Sequence, residues 1–226
     1  MEFPLLVRDL RVTGPSGRVL LSVGSLDIPA GSVIGVRGPS GAGKSTLLYA
    51  LGGLLPATGS VRWGDVELLE MPVAHRTAFR AANIGMIFQD FLLFEELGSA
   101  ENAGLAAMFA PRQRRAAVRE AAADTLHHLG LTPGTRSVAS FSGGERQRVG
   151  VARALAADAA ILLADEPTAS LHREAADALI DDLVGMARDK TRTLIAVSHD
   201  LHLLDRMDRV LWIEDGILQD SVHDAA

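Results

Sequence analysis

Gly38-Pro39-Ser40-Gly41-Ala42-Gly43-Lys44-Ser45 fits the spacing G-x-x-x-x-G-K-[ST], a pattern of residue types suited to holding a phosphate chain. Its glycines let consecutive backbone N–H groups turn toward one anion. A helix that starts there adds the positive end of its dipole. Lys44 is one of two lysines in a chain with 20 arginines. A compact ammonium on a flexible stem fits such a cradle, and a planar guanidinium fork does not. Nucleoside triphosphate binding is therefore the first expectation. The binding residues would be Gly38, Ser40, Gly41, Ala42, Gly43, Lys44, Ser45 and Thr46. Lys44 would reach the β and γ phosphates and Ser45 would ligate Mg²⁺.

Downstream, the apolar run Ile161-Leu162-Leu163-Ala164 ends in Asp165-Glu166. Asp165 is placed to hold the metal, directly or through water. Glu166 is placed to orient and deprotonate an attacking water. Phe141-Ser142-Gly143-Gly144-Glu145 comes earlier in the chain. Ser142 and Glu145 form an S-x-x-E capping box at a helix start, and the paired glycines leave backbone N–H groups open to an anion. Taken by itself, that string is equally an ordinary capped helix. Gln89 follows the apolar run Ile84–Phe88, and His199 follows Thr193–Val197 and Ser198. Each alone is an ordinary polar residue at a strand end.

The elements that must position these groups alternate. Leu5–Val12 and Val19–Ile28 read as strands about a Gly/Pro-rich turn, and Ser32–Arg37 as a strand entering the phosphate loop. Lys44–Leu55 reads as a helix stopped by Pro56, and Ser60–Leu69 as extended about Gly64-Asp65. From Ser99 to Gly130 an Ala-, Arg- and Leu-rich stretch, broken at Pro111, predicts a helical insert. Helices are expected at Ser142–Ala157, Glu174–Arg188 and His199–Arg206, with strands at Ile161–Ala164 and Thr193–Val197. Arg209–Glu214 and Gly216–Asp220 should form a hairpin. Strands alternating with helices imply an α/β fold with a largely parallel sheet.

With 226 residues, 48% of them hydrophobic, the chain can build one substantial core. It has no cysteine, which excludes disulfides and thiolate metal sites. A net charge of -6 argues against non-specific nucleic-acid binding. No apolar run is long enough to span a bilayer, and Met1–Leu10 lacks the core of a secretory leader.

Five motifs in this order, over roughly Leu5 to Gln219, resemble the ATP-binding-cassette (ABC) ATPases. Phe141 and Glu145 stand where that family's Leu-Ser-Gly-Gly-Gln usually has Leu and Gln. The resemblance implies a P-loop NTPase core with a mainly parallel sheet, an N-terminal antiparallel β subdomain and a helical subdomain near residues 95–155 of a single domain over residues 1–226. It implies ATP and Mg²⁺ as cofactors and Ser45, Gln89 and Asp165 as metal ligands. Glu166, His199 and Gln89 would be catalytic. Ser142, Gly143, Gly144 and Glu145 would close on the ATP of a second copy in a homodimer. Gly52-Gly53-Leu54, Ile87-Phe88-Gln89 and Ala164-Asp165-Glu166-Pro167-Thr168 look like the branch of lipoprotein-releasing, macrolide-export and cell-division ATPases. Members of that branch act with separate integral membrane permease subunits. The chain would then sit peripherally on the cytoplasmic face of the inner membrane. A nucleotide-gated regulatory module with slow hydrolysis is the alternative; DNA-repair relatives carry coiled-coil insertions or zinc cysteines that are missing here.

Two departures stand out. The family's adenine-stacking aromatic is absent, since no Phe, Tyr or Trp lies between Phe3 and the phosphate loop, and Val12 or Thr13 occupies its place. His172 replaces the Asp of the family's Ser-x-Leu-Asp loop. Arg112, Arg114, Arg115 and Arg119 are either a solvated face or a row near anionic headgroups.

Overall fold

The protein is described by a computed structural model covering residues 2–219. Asp220, expected to end the last strand, lies outside the described residues. β1 (Leu5–Thr13) and β2 (Val19–Ile28) form an antiparallel pair, and β3 (Val33–Arg37) leads into α1 (Lys44–Leu51). β4 (Thr58–Trp63) and β5 (Val66–Glu67) extend the antiparallel edge, followed by α2 (Val73–Asn83) and β6 (Ile84–Ile87). α3 (Ser99–Ala103) and α4 (Arg115–His128) form in the stretch expected as a helical insert, and α5 (Gly143–Ala156) follows as a further helix packed with them. β7 (Ile161–Asp165), α6 (Arg173–Asp189), β8 (Thr193–Val197), α7 (Leu201–Leu204), β9 (Arg209–Glu214) and β10 (Ile217–Gln219) complete the described chain.

The strands join in the order β5-β4-β1-β2-β10-β9-β3-β8-β7-β6. β9, β3, β8, β7 and β6 are mutually parallel, whereas β5, β4, β1 and β2 pair antiparallel. Parallel strands covered on both faces should read as unbroken apolar runs, and β7 and β8 do. Their alternate residues serve two cores. Ile161, Leu163, Ile195 and Val197 meet α1 and the antiparallel strands. Leu162, Ala164, Leu194 and Ala196 meet the helices on the other side. Leu126 of α4 and Val149 of α5 belong to that second core, so the helical insert shares its apolar interior with the sheet.

α1 is four residues shorter than expected. Gly53, at φ +63, turns the chain left-handed, and Leu54 donates its N–H to the Tyr49 carbonyl at 2.8 Å. That geometry ends the helix before Pro56 is reached. The indole N–H of the fully buried Trp63 donates to the Leu51 carbonyl at 3.0 Å, supplying one of the donors that the carbonyls of a helix end lack. α2 was not expected at all. It starts after Pro72 without a side-chain cap and buries only Phe79. The segment expected as His199–Arg206 is helical only over α7.

Candidate nucleotide-binding site

The phosphate loop is fixed by its own carbonyls. Gly38, at φ +154, lies so close to β9 that any side chain would collide with the Ile213 carbonyl. Lys44 is 8% exposed, and its Nζ donates to the carbonyls of Gly38 and Pro39, each at 2.9 Å. Two of the three ammonium protons therefore brace the loop. Gly43 caps α1 without a side chain, and the first turn holds no acidic residue. The leading N–H groups of a helix have no internal partners, so this end is open to an anion.

α1 also reaches the end of β7. Ser45 Oγ donates to Asp165 Oδ1 at 3.0 Å, and Tyr49 Oη donates to Oδ2 at 3.0 Å. Asp165 is buried. Burial first, and then the negative charge of Asp165, push the Tyr49 hydroxyl up to about 12. Tyr49 stays a neutral donor there.

Glu166 takes φ +48, a left-handed conformation uncommon for a residue with a side chain. Its N–H donates to the Val197 carbonyl at 3.0 Å, tying the turn after β7 to the end of β8. Glu166 Oε2 accepts from the His199 N–H at 3.4 Å, and His199 Nε2 stands 3.5 Å from Oε1. Burial pushes the Glu166 carboxyl above the usual carboxylate range, while His199 and Lys44 pull against that rise. A carboxylate made more basic and facing a cleft is suited to take a proton from water.

Ser40, Gly41, Lys44, Ser45, Gln89, Asp165, Glu166 and His199 line one cleft of about 590 Å³. Parallel strands that end on the same side bring these distant residues together. Ser45, Asp165 and Gln89 supply hydroxyl, carboxylate and amide oxygens, a donor set that fits Mg²⁺. No cluster of three or more His, Cys, Asp or Glu able to hold a metal occurs among the described residues. A metal here would therefore share its shell with substrate phosphates and water.

Other expected residues lie elsewhere. Ala42 points into the core, and Gly38, Gly43 and Thr46 do not line the cleft. Ser142, Gly143, Gly144 and Glu145 are likewise absent from its lining. Ser142 is the N-cap of α5: its Oγ accepts from the Glu145 N–H at 3.2 Å, and Glu145 Oε2 accepts from the Ser142 N–H at 2.7 Å. Those bonds from Ser142 hold the Glu145 carboxyl below its ordinary range.

Sequence reading missed Tyr49, Thr168 and Asp200. Ser45 and Tyr49 share one helix face at i, i+4, a signal that was available. Thr168 and Asp200 line the cleft and meet through Thr168 Oγ1 donating to Asp200 Oδ2 at 3.2 Å, a pairing across 32 residues that no local pattern announces. Of the two candidates for the missing aromatic, Val12 is buried and Thr13 is exposed, so only Thr13 can face a base. His172 caps α6, its Nδ1 accepting from the Ala175 N–H at 3.4 Å.

Residues 21–169 match the family model described as ABC transporter. The chain belongs to the ABC transporter family, and it is an ATP-binding subunit that hydrolyses ATP. Among its relatives is the lipoprotein-releasing system ATP-binding protein LolD of Oleidesulfovibrio alaskensis, 37% identical over 92% of this chain and 91% of the relative. The uncharacterised ABC transporter ATP-binding protein YbbA of Escherichia coli is 38% identical, over 87% and 86%. Among solved structures, the dimeric bacterial ABC transporter cassette MJ0796 superposes with a TM-score of 0.87 at 28% identity, covering 95% of this chain and 96% of its own. The same cassette in a dimeric post-hydrolysis state with ADP and phosphate superposes with a TM-score of 0.84 at 27% identity, over 95% and 96%.

The shifted Glu166 makes a stability prediction. A carboxyl whose folded pKa lies above its unfolded value costs stability at neutral pH, and that cost vanishes below the unfolded pKa. Nucleotide-free Glu166→Gln should therefore melt above the wild type at pH 7 to 8, and the gap should close as the pH falls through the carboxylate range. Melting scans across pH check this; a gap independent of pH contradicts it.

Proposed function

We propose that two copies of this chain stack head to tail around two ATP molecules and drive separate permease subunits in the inner membrane. Residues 1–226 would act as one ATPase domain, with the helical subdomain near residues 95–155. The observation that carries this reading is a separation. The cleft holds Lys44, Ser45, Asp165, Glu166 and His199, while the exposed tip of α5 at Ser142 stands outside its lining. The Glu145 carboxylate caps the Ser142 N–H at this tip, and the two glycines beside it leave backbone N–H groups that a further anion can approach. The cleft of a second copy would supply one.

In this arrangement Gly41, Lys44 and the amides of α1 hold the phosphates from one side. Ser142, Gly143 and Gly144 of the other copy hold the γ-phosphate from the opposite side. Ser45, Gln89 and Asp165 would hold Mg²⁺, which when bound neutralises charge on the β and γ phosphate oxygens. Glu166 takes the proton of the attacking water. His199 donates to oxygens of the transferring phosphoryl group and keeps Glu166 oriented through its backbone N–H. Catalysis is then positioning and electrostatics, the mode that phosphoryl transfer requires. ATP favours the closed pair and ADP the open one, and that difference in free energy is what a partner can use.

The permease would meet the helical insert. Leu97, Ala100, Gly104, Leu105 and Met108 line a groove of about 410 Å³. Phe94 and Phe109 nearby in sequence are 52% and 72% exposed. No helix among the described residues is long and apolar enough to cross a membrane, so membrane attachment would come through this partner. The lipoprotein-releasing relatives point to an export or extraction system as the kind of machine served.

Glu166→Gln should form an ATP-stabilised dimer with little turnover, read by size exclusion and phosphate release. A monomer at millimolar ATP contradicts the proposal. Nucleobase selectivity should also be weak, because Thr13 has no ring. Stacking on an aromatic is worth about 1–3 kcal/mol, or roughly 5- to 150-fold in affinity, so ATP and GTP should compete on similar terms and Thr13→Tyr should tighten ATP. A preference of the unmodified protein for ATP beyond about a hundredfold, near the upper end of what a stacking ring supplies, contradicts this.

A further inference from the structure

Arg153 lies near the end of α5 opposite Ser142 and reaches across to the chain that follows Gln89. Its two terminal nitrogens donate to consecutive carbonyls, Nη1 to Leu92 at 2.5 Å and Nη2 to Phe91 at 2.6 Å. Burial lowers the Arg153 pKa, and desolvation is the sole cause of that shift. Desolvating a guanidinium is unfavourable unless fixed acceptors compensate. Here the compensation comes from two backbone carbonyls.

Those two residues are themselves unusual. Phe91 has φ +60 and Leu92 has φ +46, so two successive residues with side chains sit in the left-handed region. Each such residue is strained and persists only where its surroundings over-determine it. The planar fork of Arg153 aims two N–H donors in fixed directions at two adjacent carbonyls and spans from α5 to the loop, whereas a lysine in its place would offer one point charge on a flexible stem.

The next residues are held by the helical insert too. Phe94 donates its N–H to Asn102 Oδ1 at 2.8 Å, and Asn102 Nδ2 donates back to the Phe94 carbonyl at 3.0 Å. Ser137 Oγ donates to the Glu95 carbonyl at 2.5 Å. Gln89, by contrast, follows β6 in the central sheet and lines the cleft. The segment between is thus anchored to the sheet at one end and to the insert at the other.

α5 also has a fixed contact with the sheet. A side chain at Gly85 in β6 would collide with the Ala154 carbonyl, so strand and helix touch backbone to backbone beside Arg153. Ser142 lies 12 residues before that point, about 18 Å along a helix rising about 1.5 Å per residue. Arg153 sits beside that contact, so the carbonyls it holds are tied to the same rigid helix whose other end carries Ser142.

We infer that Arg153 is a positioning residue for ATP hydrolysis: it clamps Phe91 and Leu92 so that the placement of Gln89 in the cleft follows the orientation of the helix carrying Ser142. The inference rests on the proposed role of Gln89 as a metal ligand. Its experiment separates the two.

The full chain is compared with Arg153→Lys, Gln89→Ala and the double variant. The first readout is amide hydrogen exchange over residues 91–97 without metal or nucleotide. Arg153→Lys should speed exchange there by about tenfold or more while α1 and β7 stay protected. The second is steady-state ATPase activity against Mg²⁺ concentration. Arg153→Lys should lower kcat on the order of tenfold and raise the Mg²⁺ requirement. In the double variant it should add less than about twofold to the loss caused by Gln89→Ala, because the two residues act through one path. Wild-type exchange in Arg153→Lys, multiplicative losses, or a variant that no longer folds would each overturn the positioning role; the last would make Arg153 merely structural. If Gln89→Ala keeps the wild-type rate and Mg²⁺ dependence, the metal-ligand reading fails and the positioning role falls with it; exchange over residues 91–97 then decides whether the clamp itself exists.

Discussion

The hydrogen bond from Ser45 to Asp165 joins the two halves of the cleft, and the other contacts take their positions from it. One half is the loop and helix that hold phosphate, and the other is the strand end that carries acid. The bond spans 120 residues of sequence, so it can form only if β3 and β7 run parallel and end on the same side. β8 lies between them and contributes Val197, whose carbonyl receives the Glu166 N–H. The apolar runs of these strands are therefore also the alignment device of the site. A shift of one residue in any of them would exchange the two cores and move an acid out of the cleft.

Charge is distributed with the same economy. Lys44 is buried against its own loop, and Asp165 is buried against two hydroxyls. Neither carries its charge into open solvent. The Glu166 carboxyl is left with a raised affinity for protons, in contact with His199. A site with one basic carboxylate among fixed donors is prepared for one proton transfer. The anion-ready tip at Ser142 remains outside that arrangement, and a second copy of the chain is the partner that would complete it.

The sheet and the candidate site were legible in different ways. β3, β7 and β8 showed as short apolar runs, each ending near a polar residue, because burial on both faces leaves no other composition open. The hairpin at Asp215-Gly216 showed because both residues need positive φ, at +49 and +75. α2 was hidden, since it begins without a capping side chain and buries one residue. The length of α1 was misjudged because Pro56 looked like the stop while Gly53 had already ended the helix. Asp200 and Arg153 were silent for another reason: their partners lie 32 and 61 or 62 residues away, and only the folded sheet and insert bring them together. The choice between Val12 and Thr13 was a question of which face of β1 each occupies, and burial decided it.

The central claim is that the triphosphate is shared between two chains. Because the natural sequence has no cysteine, a pair of introduced thiols reports on this without background. Ser40→Cys and Ser142→Cys, placed together in Glu166→Gln, bring one thiol to the cleft and one to the tip of α5. Under mild oxidant the account predicts disulfide-linked dimers that accumulate with ATP and not with ADP. Cross-linking that ignores nucleotide, or a disulfide formed within a single chain, would contradict it.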